Sequence, residues 1–361
     1  MTSPGSPVGV GVIGCGSVLF GPYRPEIRDL TAAGTARLVV ACDVRPEVEA
    51  AVRADFGVER FTTRPADVLA APDVDAVMVL TPPAGHAALA TAALEAGKHV
   101  LVEKPLALDL VSARRMLDAA RSADRRLVCA PFVTLSATHR RIAALVDAGT
   151  IGRILSVRAA AGTAGPSWGR WFYEEPGGGP LFDLGVYSLT AVIDLVGPVR
   201  RVTAVSGIAV PERIVDGEPM RPAVADNFQV ALDFGGGTLG VLTTGFTMAT
   251  LRTPAFELFG SEGTVQMLGA DWEPAGFDLW RNDVGAWELV PESDPGWNYA
   301  AGLRHLVEHL VDGAPVAVSP ELALHVLEVM LLAADAGRDG VTRTLTTTFP
   351  RRIPTAAGLT R

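Results

Sequence analysis

Lysine is nearly missing from this 361-residue chain: among its 31 basic residues only Lys98 and Lys104 are lysine, and all the others are arginine. A lysine kept where arginine serves everywhere else points to a compact ammonium whose pKa can shift and whose proton can move. Cysteine is scarce as well. Cys15, Cys42 and Cys129 form no CxxC pair and no metal-ligand spacing, which argues against a disulfide framework or zinc ribbon, fits a reducing compartment and leaves them as small core fillers. No apolar run approaches the length of a membrane span. Basic charge is in deficit, with 40 acidic residues and a formal net charge of −9, so there is no electrostatic footprint for nucleic acid. A cytoplasmic location is expected. Residues 1–7 have neither the basic start nor the apolar core of a signal peptide and read as a frayed tail, and Arg351-Arg352 read as a solvated pair. The length suggests two domains.

Val8 to Ile13 is a strand-like apolar run ending in Gly14-Cys15-Gly16-Ser17. Glycines let a backbone turn tightly and come close to a pyrophosphate, whose charge helix amides then meet. The third fingerprint position holds Leu19, and Pro22 and Pro25 disfavour a clean helix after the loop. A short turn near Ser17 to Phe20 is therefore expected, then a helix from Arg24 to Ala33 closed by Gly34. Leu38 to Cys42 is a second strand with Asp43 at its end, a carboxylate placed to accept from ribose hydroxyls and to repel a 2′-phosphate. Asp43 stands 27 residues after Gly16, more than the usual spacing of about 20, and the proline-containing insert absorbs the excess. This favours NAD, while Arg45 two residues on leaves NADP open.

Val74 to Leu80 is the next strand, running into Thr81-Pro82-Pro83 and then His86 at the start of a helix over Ala87 to Ala96. Gly97 ends that helix, and the chain enters His99-Val100-Leu101-Val102-Glu103-Lys104-Pro105. Strands alternating with helices at this spacing mean βαβ units and a parallel, doubly wound sheet. Such sheets bind ligands at the carboxyl ends of their strands, where Gly14, Asp43, Thr81, His86, Glu103 and Lys104 converge. Lys98 is read as a surface charge at the turn.

Gly14-Cys15-Gly16, Asp43, Thr81-Pro82, His86 and above all Glu103-Lys104-Pro105 resemble the pattern of the Gfo/Idh/MocA family, the oxidoreductases named for glucose-fructose oxidoreductase, inositol dehydrogenase and a rhizopine catabolism protein. The likeness extends over essentially the whole chain. It implies a Rossmann domain over residues 1–127 and, over 128–361, a domain for substrate binding and oligomerisation. It also implies hydride transfer between NAD or NADP and a secondary hydroxyl or carbonyl of a sugar, cyclitol or related polyol. By resemblance the proline fixes the backbone, often in the cis form, Lys104 meets both cofactor and substrate hydroxyl, and Glu103 belongs to the cofactor side. Two other outcomes stay open: an NAD-dependent glycosidase or lyase acting through transient oxidation, and a dinucleotide-binding regulator without turnover.

The carboxyl-terminal half changes character. A helix near Ser136 to Ala148 precedes strands at Ile154 to Ala160, Val199 to Val210, Asn227 to Phe234, Leu239 to Phe246, Phe256 to Phe259 and Thr264 to Leu268. Gly235-Gly236-Gly237 and Gly260 to Gly263 read as hairpin turns. The pattern suggests one large, open, mainly antiparallel sheet, whose uncovered face makes a homo-oligomer, a dimer or tetramer, the simplest expectation. Between its first two strands, a glycine-rich loop leads into a helix carrying Asp183 and Tyr187 four apart and hence on one face. By resemblance this is the Tyr-containing branch of the family, with Tyr187 as proton carrier, Lys104 favouring its phenolate, and Asp183 orienting the substrate or the lysine. Trp168, Trp171, Phe172 and Tyr173 are equally open as a stacking wall for a sugar ring or a buried contact, and Tyr23 is a further substrate candidate. His305-Leu306-Val307-Glu308-His309 matches an inverted zinc-peptidase pattern, but Leu303, Leu306, Val307 and Leu310 form a core stripe that the histidines flank, and no metal is expected.

Overall fold

The computed structural model describes residues 6–350, so Arg351-Arg352 and most of the amino-terminal tail lie outside the described residues. The chain divides into two compact units, one running to Phe132 and including Asn298–Ala323, the other formed by Val133–Trp297 and the chain from Leu324 on.

The first unit is built on a six-stranded parallel sheet of β1 (Val8–Ile13), β2 (Ala36–Cys42), β3 (Arg60–Thr62), β4 (Ala76–Val79), β5 (His99–Val102) and β6 (Leu127–Cys129). Its order, β3-β2-β1-β4-β5-β6, reverses between β1 and β4, the switch point at which doubly wound sheets open a crevice. β1, β4 and β6 are buried throughout, as strands covered on both faces by crossover helices must be. These helices include α1 (Ser17–Phe20), α2 (Tyr23–Ala32), α3 (Glu49–Phe56), α4 (Pro65–Ala70), α5 (His86–Glu95) and α6 (Leu110–Ala123). Pro25 sits in the first turn of α2, where its missing N–H has no intrahelical partner to lose. Gly34, at φ 70°, takes the left-handed turn that follows.

Residues 298–323, expected in the second domain, pack in this unit. The apolar stripe of α9 (Gly302–Asp312) buries Leu303, Leu306 and Val307. Gly302 lies so close to the Phe132 ring that a Cβ there would come within 2.2 Å of it. Arg304 pairs with Glu26 at 3.1 Å and Asp29 at 3.3 Å. Local periodicity shows that α9 has an apolar face, but it does not tell which unit covers that face.

The second unit is a nine-stranded sheet in the order β16-β15-β14-β13-β7-β12-β11-β8-β17. In chain order these are β7 (Ile154–Gly162), β8 (Arg201–Gly207), β11 (Asn227–Gly235), β12 (Thr238–Gly245), β13 (Phe256–Gly260), β14 (Gly263–Ala270), β15 (Glu273–Arg281), β16 (Ala286–Pro291) and β17 (Arg343–Thr344), with β9 (Arg213–Val215) and β10 (Glu218–Met220) a separate hairpin. All neighbours are antiparallel except β7 and β12. Burial alternates along β12, with α7 (Ala137–Asp147) and α8 (Val186–Val196) packed against this sheet. Val205, Leu239, Val241 and Leu289 remain exposed. Gly235-Gly236-Gly237 all take positive φ and make the tight β11–β12 turn. The sequence did not reveal β15 and β16, whose Pro274, Gly276 and scattered charges hide the period of two.

The β9–β10 hairpin is tied to the sheet through a buried ion pair. Asp226, 1% exposed, accepts from the Ala209 and Val210 amides and from Arg213 at 2.9 Å. Arg213 also donates to the carbonyls of Ala164 and Phe246 and lies 5.1 Å from the Tyr173 ring. Removing one member leaves a buried charge without its partner, so Arg213→Met should lower the unfolding free energy by about 3–5 kcal/mol. The double variant Arg213→Met/Asp226→Leu should recover most of that loss in urea denaturation. Equal stabilities of the single and double variants would show that the two charges are not coupled.

Candidate functional site

Strand register brings the expected residues of the first unit to one edge. Ile13 is level with Cys42 and Val79, and Val79 with Val102, so the next residues, Gly14, Asp43, Leu80 and Glu103, emerge side by side. Gly14 has φ 98°, and a Cβ there would come within 2.8 Å of the Leu80 carbonyl and the Thr81 nitrogen. Any side chain would push the loop off β4. Gly16 faces the opposite situation, with open space around its Cβ position. Ser17 is exposed at the start of α1.

Asp43 is the partner of this loop. Its carboxylate accepts from the Cys15 amide at 2.8 Å, the Arg45 amide at 2.9 Å and the Arg45 guanidinium at 3.1 Å. Burial by itself raises the Asp43 pKa, but the hydrogen bonds from Arg45 and Cys15 outweigh it and hold the group below its ordinary value. Cys15 contributes its backbone, since its side chain is 1% exposed and burial pushes the thiol up to about 12.

Around Lys104 the backbone is gripped from both sides. The Glu103 carboxylate accepts the Lys104 amide at 3.1 Å through one oxygen and the Tyr23 hydroxyl at 2.9 Å through the other. Tyr299 brings a second phenol near enough that, after burial, the charge of Glu103 raises its pKa. The Lys104–Pro105 peptide is cis, and the Pro105 carbonyl lies 2.8 Å from His86 Nδ1. His86 Nε2 lies 2.8 Å from the Thr81 carbonyl. Two of the candidates therefore change role. His86 and Tyr23 are both 0% exposed; each supports the edge from beneath, and neither presents itself to a ligand. Burial lowers the His86 pKa. Pro82 is exposed, and the buried Thr81 hydroxyl has no hydrogen-bond partner among the described residues. An open glycine turn, a carboxylate at the end of the second strand and a free hydroxyl at the switch point fit a dinucleotide.

In the second unit Asp183 lies in a π-helical turn, Leu181–Gly185, and Tyr187 in the first turn of α8. The helix expected around Asp183 is thus locally widened, a departure common at functional sites. Both side chains are partly exposed. The aromatic stretch divides. Phe172 and Tyr173 belong to a buried cluster with Leu184, Val215, Met220 and Phe246, whereas Trp171 stacks on Phe172 at 3.7 Å and Trp168 is 48% exposed. Only the tryptophans remain available to a ligand.

Two sequence features resolve into structural roles. Lys98 donates to the carbonyls of Ala71 at 2.9 Å and Val74 at 2.8 Å and is partly buried, so it holds the turn before β4 and is not a free surface charge. His305 accepts the Ala317 amide, and His309 lies 2.6 Å from the Ala314 carbonyl and accepts from Arg126. Both histidines fasten the loop after α9.

Comparison with known proteins gives the same architecture. The model of the oxidoreductase family with an NAD-binding Rossmann fold matches residues 8–130, and that of the GFO/IDH/MocA C-terminal domain matches residues 139–266. The chain is 34% identical to the dTDP-3,4-didehydro-2,6-dideoxy-alpha-D-glucose 3-reductase of Actinomadura kijaniata over 54% of this chain and 60% of that one. To the Saccharopolyspora spinosa reductase of the same name it is 31% identical over 74% of this chain and 77% of that one. The crystal structure of aldose-aldose oxidoreductase from Caulobacter crescentus, complexed with glycerol, superposes with a TM-score of 0.81 at 25% identity, covering 94% of this chain and 100% of that one. With both halves matched in chain order on the fold described above, the chain belongs to the Gfo/Idh/MocA family of NAD-binding oxidoreductases.

Proposed function

We propose that this protein is a dehydrogenase or reductase that uses NAD and acts on a secondary hydroxyl or carbonyl of a sugar, cyclitol or related polyol. The observation that carries the reading is the fixed presentation of Lys104 at the same sheet edge as Gly14, with its backbone held by Glu103 on one side and, through Pro105, by His86 on the other. The Gly14–Ser17 turn, Asp43 and Thr81 would hold a nicotinamide dinucleotide, which when bound would supply the hydride acceptor or donor. In the oxidative direction Tyr187 takes the hydroxyl proton as the carbinol carbon becomes a carbonyl, and in the reductive direction it returns it. A phenol titrates near 10, so the phenolate needs a positive charge to favour it near neutral pH; Lys104 is assigned that part, together with stabilising the developing carbonyl. Asp183 orients the substrate. Trp168 and Trp171 offer ring faces to the apolar side of a pyranose or cyclitol.

Asp43 supports NAD because a carboxylate at the end of the second strand disfavours a 2′-phosphate, although Arg45 rests on that same carboxylate. The three cysteines are free thiols, in keeping with action in the cytoplasm. Val205, Leu239 and Val241 lie on one sheet face, and we assign that face to a second copy of the chain.

Lys104→Met should lower kcat by about 10²–10⁴-fold in oxidation of a panel of myo-inositol, D-glucose, D-xylose and methyl glucoside, read at 340 nm. The NAD affinity, read by fluorescence titration, should stay within a few-fold of wild type; retained turnover in this variant would remove the central assignment. Tyr187→Phe should lose a comparable factor, and an unchanged rate would hand the proton to another group. Asp43→Ala should shift the NAD to NADP ratio of kcat/KM toward NADP by at least about tenfold, and a ratio that stays put would assign cofactor choice elsewhere. Val241→Arg should shift the mass measured by light scattering to that of a monomer, whereas an unchanged mass would place the subunit contact on another surface.

A further inference from the structure

Two neighbouring residues on α8, Tyr187 and Ser188, face two neighbouring residues at the turn between β14 and β15, Asp271 and Trp272. They meet twice. The Ser188 hydroxyl donates to Asp271 Oδ2 at 2.6 Å, and the Trp272 ring stands edge-on to the Tyr187 ring at 5.5 Å and 72°. Four residues, two from each element, thus form a clamp closed by one polar and one aromatic contact. Trp272 is also packed against the buried cluster around Phe172, Tyr173 and Phe246, which steadies its ring from behind.

Asp271 is an expensive way to hold a turn. It is 2% exposed, and its second oxygen, Oδ1, has no hydrogen-bond partner among the described residues. The ionisable group that acts on it is His139 of α7, also buried, whose Nε2 lies 2.9 Å from Asp194 of α8. Burial pushes the Asp271 carboxyl up to about 6, against the smaller opposing effects of the Ser188 hydrogen bond and His139. Because the folded pKa lies above the unfolded one, the protonated form suits the folded state. Stability is then intact below the unfolded pKa and declines as pH rises to about 6. At neutral pH the protein thus carries a buried, half-satisfied carboxylate that an apolar residue would spare it. Such a group is retained most readily where it fixes the geometry of a functional side chain.

We propose that Asp271 is a positioning residue for Tyr187: through Ser188 it fixes the start of α8, and through Trp272 it fixes the orientation of the phenol ring. The proposal rests on the assignment of Tyr187 as proton carrier. A ring held by an edge-to-face partner keeps its hydroxyl aimed in one direction, and misplacing a reacting group by about 1 Å is enough to lose two orders of magnitude in rate.

The test uses the full chain with NAD bound and tyrosine labelled with 13C at Cζ. The chain holds four tyrosines, so four signals are expected, and Tyr187→Phe identifies the one in question. Asp271→Leu and Trp272→Leu should each move the Tyr187 signal while leaving those of Tyr23, Tyr173 and Tyr299 in place. Both should lower kcat by about tenfold on the panel sugar turned over fastest, at an unchanged KM for NAD. Trp272→Phe, which keeps an aromatic edge, should restore signal and rate. At pH 8 the Tm of Asp271→Leu should equal or exceed that of wild type, whereas a merely structural Asp271 would lose Tm and leave the Tyr187 signal and kcat alone. If Asp271→Leu fails to fold, Ser188→Ala removes the same hydrogen bond and serves in its place. A Tyr187 signal that stays in position in both clamp variants, with Tyr187→Phe inactive, overturns the clamp alone. A Tyr187→Phe variant as active as wild type overturns the proton-carrier assignment and the positioning role with it.

Discussion

The amino-terminal unit depends on one constraint, the alignment of parallel strand ends. The amide of Gly14 bonds to the Cys42 carbonyl, that of Leu80 to Ile13 and that of Glu103 to Val79, so three loops leave the sheet at the same level. A slip of one residue in any pairing would turn that strand's side chains to the other face and move its loop along the edge. With the register fixed, side chains far apart in sequence complete each other's hydrogen bonds: Asp43 takes the Cys15 amide, Glu103 takes the Tyr23 hydroxyl, and His86 spans the Thr81 and Pro105 carbonyls. The scarce lysine thereby stands on a backbone tied at its own amide to Glu103 and at the Pro105 carbonyl to His86.

Much of this was legible because it is local. Apolar runs broken by glycine or proline mark the strands, three consecutive glycines mark a hairpin, and a strand that runs into Glu-Lys-Pro marks its own carboxyl end. The expected β1 bounds agree with the observed Val8–Ile13, and a short turn of helix does precede α2. Reading failed where a residue's role is set by a partner distant in the chain. His86 and Tyr23 are chemically suited to touch a ligand and lie next to the right loops, but at the starts of α5 and α2 both are fully buried and serve as supports. Arg213 with Asp226, Ser188 with Asp271 and Tyr299 with Glu103 are separated by 13, 83 and 196 positions, and nothing in composition or spacing joins them. The return of residues 298–323 to the first unit is of the same kind, because an amphipathic helix announces a buried face without naming what buries it.

Three buried carboxylates in the second unit show how differently one fold treats the same group. Glu328, on α10 (Pro320–Asp339), accepts from the amides and hydroxyls of Thr346 and Thr347, and although burial alone would raise its pKa, those donors bring it below the ordinary value. Asp226 is met by two amides and a guanidinium. In both cases the donors satisfy the charge, and the carboxylate helps fasten a segment to the rest of the unit, the chain just after β17 in one and the β9–β10 hairpin in the other. Asp271 receives a single hydroxyl and is left with its pKa near 6. The fold therefore has the means to satisfy a buried carboxylate and leaves this one short, beside the only phenol on the helix that follows the π-helical turn. A group maintained at a cost to folding next to the residue with the greatest need for fixed orientation is better explained by the orientation than by the fold.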